Sequence, residues 1–155
     1  MKKSLIDVNT LFFGLYNDIQ RAEDEAQKKG VFNDLSLAEV HTIEAIGMYA
    51  SKSMSEVAKK LDITMGTLTV SVKNLVAKGY VLRNRSETDR RHVLVSLTKK
   101  GRLMYRVHQK FHLDMIKAAI VGLSEYEAEV ARDVLVRING FINERYRNNT
   151  QGEVL

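Results

Sequence analysis

Helical periodicity runs through almost the whole of this chain and is interrupted once. Residues 80–85, opening on Tyr80, Val81 and Leu82, and residues 92–97, with Val93, Leu94, Val95 and Leu97, are β-rich and flank a charged tip at 86–91. That pattern predicts a hairpin. The segment before it is equally constrained. Ser53-Met54-Ser55-Glu56 is a capping box, in which the Ser side chain accepts from the third helical N–H and Glu56 reaches back. Val57, Ala58 and Leu61 come next as a short apolar face, and Asp62-Ile63-Thr64 breaks it, with Thr64 as the N-cap of a new helix. There Leu68, Val72, Leu75 and Val76 stand at i, i+4, i+7 and i+8, one buried stripe, and Gly79 ends the helix as a left-handed C-cap. Two short helices around a three-residue turn read as a helix-turn-helix. After the hairpin, Thr98-Lys99-Lys100-Gly101 opens a further helix. The predicted fold class is mostly α with a small β wing, a winged helix-turn-helix.

The flanking segments are helical and more apolar than one small domain needs. From Leu5 to about Lys29, the residues Leu5, Val8, Leu11, Phe12, Leu15 and Ile19 form a broad stripe that Gly30 stops. Ser36 and Glu39 cap a second helix that turns Val40, Ile43, Ala45 and Ile46 inward; residues 50–52 are read as a loop. The helix from Thr98 to about Val121 is roughly 35 Å long at 1.5 Å per residue. It repeats Leu103, Met104, Val107, Phe111, Met115, Ile116, Ala119 and Ile120 at helical spacing. Gly122 ends it, and Ser124 with Glu127 caps a last helix carrying Val130, Val134, Leu135, Ile138, Phe141 and Ile142. The chain therefore reads as one unit over 1–147. Within it, 1–30 and 102–147 form a dimerisation platform, 36–101 is the winged helix, and 148–155 is a tail.

Charge says what the winged part meets. Residues 53–102 hold eleven Lys/Arg against four Asp/Glu, a net +7 in a chain whose total is +5, so the remainder is slightly acidic. A positive segment coinciding with a helix-turn-helix is the electrostatic footprint of nucleic-acid binding. It argues against a pure protein-interaction adaptor. The second helix of such a motif lies in the major groove. Opposite its buried stripe it presents Gly66, Thr67, Val70, Lys73, Asn74 and Ala77, flanked by Thr64, Thr69 and Ser71. Val70 suits a thymine methyl and Asn74 an adenine edge. Lys73, Lys78, Arg83 and Arg85 are candidate phosphate contacts, so binding weakens with a salt slope of about −0.9 per neutralised phosphate.

Other classes are excluded or disfavoured. The chain has no cysteine, which removes disulfides, thiolate catalysis and cysteine redox sensing. No Gly-rich phosphate loop and no Ser-His-Asp spacing is present, and the chain is read as no enzyme. No long apolar run spans a membrane. Asp7, Asn9 and Asp18 interrupt the stretch after Lys2 and Lys3, so no signal peptide is read and the expected compartment is the cytoplasm.

Asp89-Arg90-Arg91, with Leu97-Thr98-Lys99-Lys100-Gly101 after it and a helix-turn-helix before it, resembles the MarR family of winged-helix transcription regulators. Further likeness, in His41 to Gly47, Gly79-Tyr80, Arg85-Ser86-Glu87 and Leu97 to Leu103, is to the FabT-like repressors of fatty-acid synthesis. The resemblance implies a two-fold homodimer on a palindromic operator, A·T-rich because Val70 stands where many family members carry a basic residue, with Arg91 entering the minor groove beside Arg90 and braced by Asp89. A narrow A·T groove attracts an inserted guanidinium. It also implies co-repression by long-chain acyl groups on acyl carrier protein. A slot lined by Phe12, Phe13, Tyr16, Ile43, Met104, Val107 and Phe111 would take the chain, and Lys28, Lys29, Arg102, Arg106 and Lys110 would dock the acidic carrier. No cofactor is required. His108 and His112, at i, i+4, share a helix face at metal-ligand spacing. Resemblance to the zinc-sensing MarR repressors adds Glu23, or Asp24 in its place, and His41 to that pair as an alternative zinc site. Arg91→Ala is expected to abolish operator binding in a gel shift while leaving the dimer folded; retained tight binding refutes the role given to Arg91.

Overall fold

The structure is a computed structural model. It describes residues 2–49, 51–85 and 93–147, with the backbone alone at 2, 3, 85, 146 and 147. Among the described residues six α-helices and three short strands stand in order. They are α1 (Lys2–Lys29), α2 (Leu37–Ile46), β1 (Lys52–Ser53), α3 (Met54–Leu61), α4 (Met65–Ala77), β2 (Val81–Arg85), β3 (Val93–Leu97), α5 (Lys99–Ile120) and α6 (Glu125–Ile142). The turn Asn143–Arg147 after α6 is π-helical. None of the described helices is long and apolar enough to cross a membrane. The chain divides into two compact units, 1–110 and 111–155, with the division inside α5.

The helix boundaries derive from the caps. Ser36, Ser53 and Ser124 each accept from the backbone N–H three residues on, while Glu39, Glu56 and Glu127 accept from the cap's own N–H. All three boxes match those read from the sequence. At the end of α4, Gly79 N donates to Val76 O (3.0 Å) and Tyr80 N to Leu75 O (2.9 Å), with Gly79 at φ +78°. This is a Schellman closure, and it needs the left-handed residue that glycine supplies. The expected loop before α3 contains a strand instead. Lys52 pairs with Val95 and Ser53 with Leu94, giving an antiparallel sheet of order β1-β3-β2. Two residues are too short for a period-2 pattern, so only the paired edge of β3 reveals them. The hairpin has the expected register, Val81 opposite Leu97 through to Arg85 opposite Val93.

The core lies in the winged part of the first unit. Val40, Ile43, Ile46, Val57, Leu68, Val72, Leu75, Tyr80, Val81 and Val95 are fully buried. Each apolar side chain of this kind stabilises the fold by roughly 1.5–3 kcal/mol. Val76, expected in the stripe, is 40% exposed. One residue past Leu75 is a rotation of about 100°, which carries it off the face that Leu68, Val72 and Leu75 share.

The Leu97-to-Gly101 segment docks on the corner after α4. Thr98 N donates to Tyr80 O (3.0 Å), and its hydroxyl donates to Gly79 O (2.8 Å) and accepts from Gly101 N (3.0 Å). A Cβ on Gly101 would stand 2.2 Å from Tyr80 O and 3.3 Å from the Leu97 Cβ. Backbone cannot give way there as a flexible side chain can. Gly101→Ala is expected to cost about 1–3 kcal/mol through overpacking, read as a lowered midpoint in thermal or urea unfolding; an unchanged midpoint would show that α5 lifts off this corner freely.

Candidate nucleic-acid interface

Thr64 starts the reading helix. Its Oγ1 accepts from Thr67 N (3.2 Å) and lies 2.9 Å from the Thr67 hydroxyl. The preceding turn works because Asp62 takes the left-handed conformation (φ 55°, ψ 45°) and its N–H reaches back to α3. Asp is among the few non-glycine residues that tolerate that conformation. From this start Leu68, Val72 and Leu75 are buried, and Gly66, Thr67, Thr69, Val70, Lys73, Asn74 and Ala77 face outward as expected.

Local bonds sort these side chains further. Thr69 Oγ1 donates back to Met65 O (2.7 Å). Ser71, half-buried, lies 2.9 Å from the Thr42 hydroxyl of α2. Lys78 points inward: its ammonium donates to Asp34 O (2.6 Å) and to the Glu39 carboxylate (2.7 Å). The side chains of Val70, Lys73 and Asn74 remain exposed with no hydrogen bond or ion pair among the described residues. Arg83 reaches out from β2 and lines a cleft of about 200 Å³ with Ser53, Met54, Ser55, Met65, Thr69 and Val93. The cleft adds Ser55, an exposed hydroxyl beside Arg83 that the sequence reading does not single out; its place just after the Ser53 cap is the signal that could have found it. The Arg85 side chain and residues Asp89, Arg90 and Arg91 lie outside the described residues.

A polar cluster backs the inward end of α4. The Tyr80 hydroxyl, fully buried, donates to Asp34 Oδ1 (2.6 Å), and Lys100 Nζ stands 3.6 Å from Asp34 Oδ2 and 4.0 Å from the Tyr80 ring centroid. The Tyr80 hydrogen bond, helped by Lys100 and Lys78, holds the Asp34 carboxyl below its ordinary range. Burial pushes the Tyr80 phenol up, with Asp34 adding to it. Burial also raises Glu39, but the Lys78 and Ser36 donors outweigh it and leave its pKa lowered. Both carboxylates are therefore charged at neutral pH, and what they add to stability is lost only as acid brings pH down through their depressed values.

Three of the four expected metal ligands come together, and the residues expected to line an effector slot do not share one environment. Ile43 and Met104 sit in the closed core, whereas Phe12, Phe13, Tyr16 and Val107 are exposed. Phe111 belongs to the second unit. Glu23, His41 and His108 come together, with one ligand atom from each within 4.8 Å of the others. Glu23 and His108 are buried. His41 Nε2 lies 3.7 Å from Glu23 Oε2, and the two imidazoles stand 5.8 Å apart. His112 is not in that group. Glu44, three residues beyond His41, brings Oε2 to 3.6 Å from His108 Nε2 and accepts from Gln109. The i, i+3 spacing from His41 is the signal that could have found it. Asp24, the named substitute for Glu23, pairs with Lys28 on the surface.

A helix-turn-helix on a buried core, an exposed face with Lys73 and Asn74, and a hairpin beside it with Arg83 define a winged-helix DNA-binding regulator. Residues 28–106 match the family model for the transcriptional regulator SarA/Rot, and the chain belongs to that family of MarR-type winged-helix regulators. Streptococcus pneumoniae FabT, crystallised in complex with DNA, is 39% identical with a TM-score of 0.83, over 89% of this chain and 96% of that one. The regulator SarZ of Staphylococcus saprophyticus is 28% identical over 116 residues, 75% of this chain and 76% of its own. Staphylococcus aureus MepR in complex with DNA, 21% identical with a TM-score of 0.67 over 87% of this chain and 97% of that one, shows the shared fold. These relatives are regulators, not enzymes.

Gly66 offers a test. A Cβ there would meet nothing closer than 3.8 Å, at the Thr64 hydroxyl, so the fold does not require glycine. Gly66→Ala is expected to leave stability unchanged or raise it by up to about 1 kcal/mol, while weakening duplex binding, because the added methyl stands where backbone and DNA would meet. Undiminished binding would remove Gly66 from the interface.

Proposed function

We propose that the protein is a homodimeric repressor of fatty-acid biosynthesis genes, co-repressed by long-chain acyl groups on acyl carrier protein. The observation that carries this reading is the likeness to FabT along nearly its whole length. The exposed face of α4, with Val70, Lys73 and Asn74, suits a major groove, and by the family resemblance Arg90 and Arg91 would enter the flanking minor groove.

Uncovered apolar surface supports the dimer. On α1, Leu5, Val8, Leu11, Phe12 and Leu15 are all exposed, and α6 buries none of its residues within its own chain. Val130, Val134, Leu135, Phe141 and Ile142 on α6 are exposed too. Apolar faces this long mark interaction surfaces, and a second copy of the chain brings matching faces. Within that dimer Phe12, Phe13, Tyr16 and Val107 acquire neighbours, and the acyl slot has its walls there rather than inside one chain. Among the described residues, Lys28 and Lys29 pair with Asp24 and Glu25 in exposed i, i+4 ion pairs. Such pairs exchange for an acidic carrier at little cost, and Arg102, Arg106 and Lys110 add to the same attraction.

A second reading rests on the Glu23–His41–His108 group. Two imidazoles and a carboxylate this close form a donor set suited to zinc, with a fourth position left for another ligand. In that case the signal is the metal, and α1, α2 and α5 are drawn together by it.

One experiment separates the two. A duplex is selected from a random pool by the wild-type protein, and a fatty-acid-synthesis promoter is assayed beside it by gel shift. Long-chain acyl-acyl carrier protein is expected to tighten binding at least several-fold, and the unacylated carrier not to. Tightening by Zn²⁺ alone supports the second reading. No response of promoter binding to the acylated carrier overturns co-repression.

A further inference from the structure

We propose that Thr42–Ser71 and Glu39–Lys78 form a two-point latch that fixes the rotation of the reading helix, so that Thr42, Glu39, Ser71 and Lys78 are positioning residues rather than DNA contacts. The latch rests on the DNA-binding reading and extends it to residues that face away from the groove.

The atoms define the latch. Thr42 Oγ1 donates to Ala38 O (2.8 Å). A hydroxyl has one hydrogen, so in the Thr42–Ser71 bond of 2.9 Å Ser71 donates and Thr42 accepts. Thr42 is 2% exposed and cannot itself touch a duplex. Two turns further along α4, Lys78 reaches the buried Glu39 carboxylate and the Asp34 carbonyl. Asp34 is in turn held by Tyr80 and Lys100. Ser71 and Lys78 are i, i+7 on one face of α4, and Glu39 and Thr42 are i, i+3 on one face of α2. The four-carbon stem of Lys78 spans the difference in rise.

The physical reason for two polar pins is that the apolar stripe alone is forgiving. Leu68, Val72 and Leu75 pack on α2 and α3 through alkyl surfaces, which tolerate a few degrees of roll. Hydrogen bonds do not, because they weaken steeply with angle and distance. A roll of about 5–10° would sweep side-chain tips, about 6 Å from the helix axis, through roughly 0.5–1 Å. That displacement weakens base-edge hydrogen bonds at Asn74 yet leaves diffuse phosphate attraction intact. Lys78 is also poorly placed to serve a phosphate. Turning outward would leave the Glu39 carboxylate buried without its cation, a costly state.

The test uses the full-length protein, the duplex selected by the wild type and a scrambled duplex of the same composition, titrated across salt. Thr42→Val removes the acceptor and keeps the shape, and Lys78→Met removes the cation and keeps the stem. Each is expected to lower affinity for the selected duplex by roughly three- to tenfold, with scrambled-duplex affinity and salt slope unchanged. Thr42→Ser is expected to restore the wild-type value. Lys73→Gln, as a contrast, is expected to reduce the slope by about 0.9. A slope reduced by Lys78→Met would make Lys78 a phosphate contact and overturn the latch. So would selected-to-scrambled ratios equal to wild type in folded Thr42→Val and Lys78→Met, even with a lowered melting temperature, since that is the mark of a merely structural bond. A wild-type protein that selects no duplex overturns the DNA-binding reading itself, and the latch with it; wild-type selection with unaltered variants overturns the latch alone.

Discussion

At Tyr80 the reading helix has just ended, the wing begins and the first turn of α5 lands. Its main-chain N–H closes α4 onto Leu75, its carbonyl receives Thr98, and its ring is enclosed beside Phe32 with the hydroxyl on Asp34. Gly101 lies against the same carbonyl with no room for a methyl. The arrangement of α4, β2, β3 and α5 depends on this corner, because each element takes its direction from a backbone group of residues 79 and 80. Backbone groups buried here would be expensive if unpaired, and the Thr98 hydroxyl answers two of them. The Leu97-Thr98-Lys99-Lys100-Gly101 sequence thus has a mechanical reason. Leucine enters the core, threonine caps the next helix and satisfies the corner, and glycine allows the approach.

The winged part is closed and α6 is not. The first unit encloses its own core beneath α4, whereas α6 lies open along its apolar face. One portion encloses its own core, and another exposes apolar stripes of the kind that mark interaction surfaces. The same division bears on the effector. Residues that would line an acyl slot include Ile43 and Met104, already enclosed, and Phe12, Phe13 and Tyr16, which still face water.

Polar residues near the reading helix divide into those that meet water and those that hold the helix. Lys73 and Lys78 look alike in sequence, yet one is exposed with no ion pair among the described residues and the other pairs with a buried carboxylate. Ser71 and Thr69 likewise look alike, but one bonds to α2 and the other to its own helix. Nothing local distinguishes these pairs. The distinction comes from Glu39 and Thr42, some thirty to forty residues away along the chain, which α2 brings beside α4.

Local chemistry was legible from the residues alone. The three capping boxes, the left-handed Gly79, the hairpin and the burial of Leu68, Val72 and Leu75 all arise from interactions spanning at most a turn or two, which a sequence states directly. The cationic balance of residues 53–102 indicated the class of partner for the same reason, since net charge needs no coordinates. Tertiary structure alone decided the rest: the two-residue β1 that exists only because β3 offers an edge, the inward turn of Lys78, and the place of Glu44 beside His108. Each requires groups far apart in sequence to come within bonding distance. Residue type and spacing cannot fix that proximity; the packing of apolar faces does.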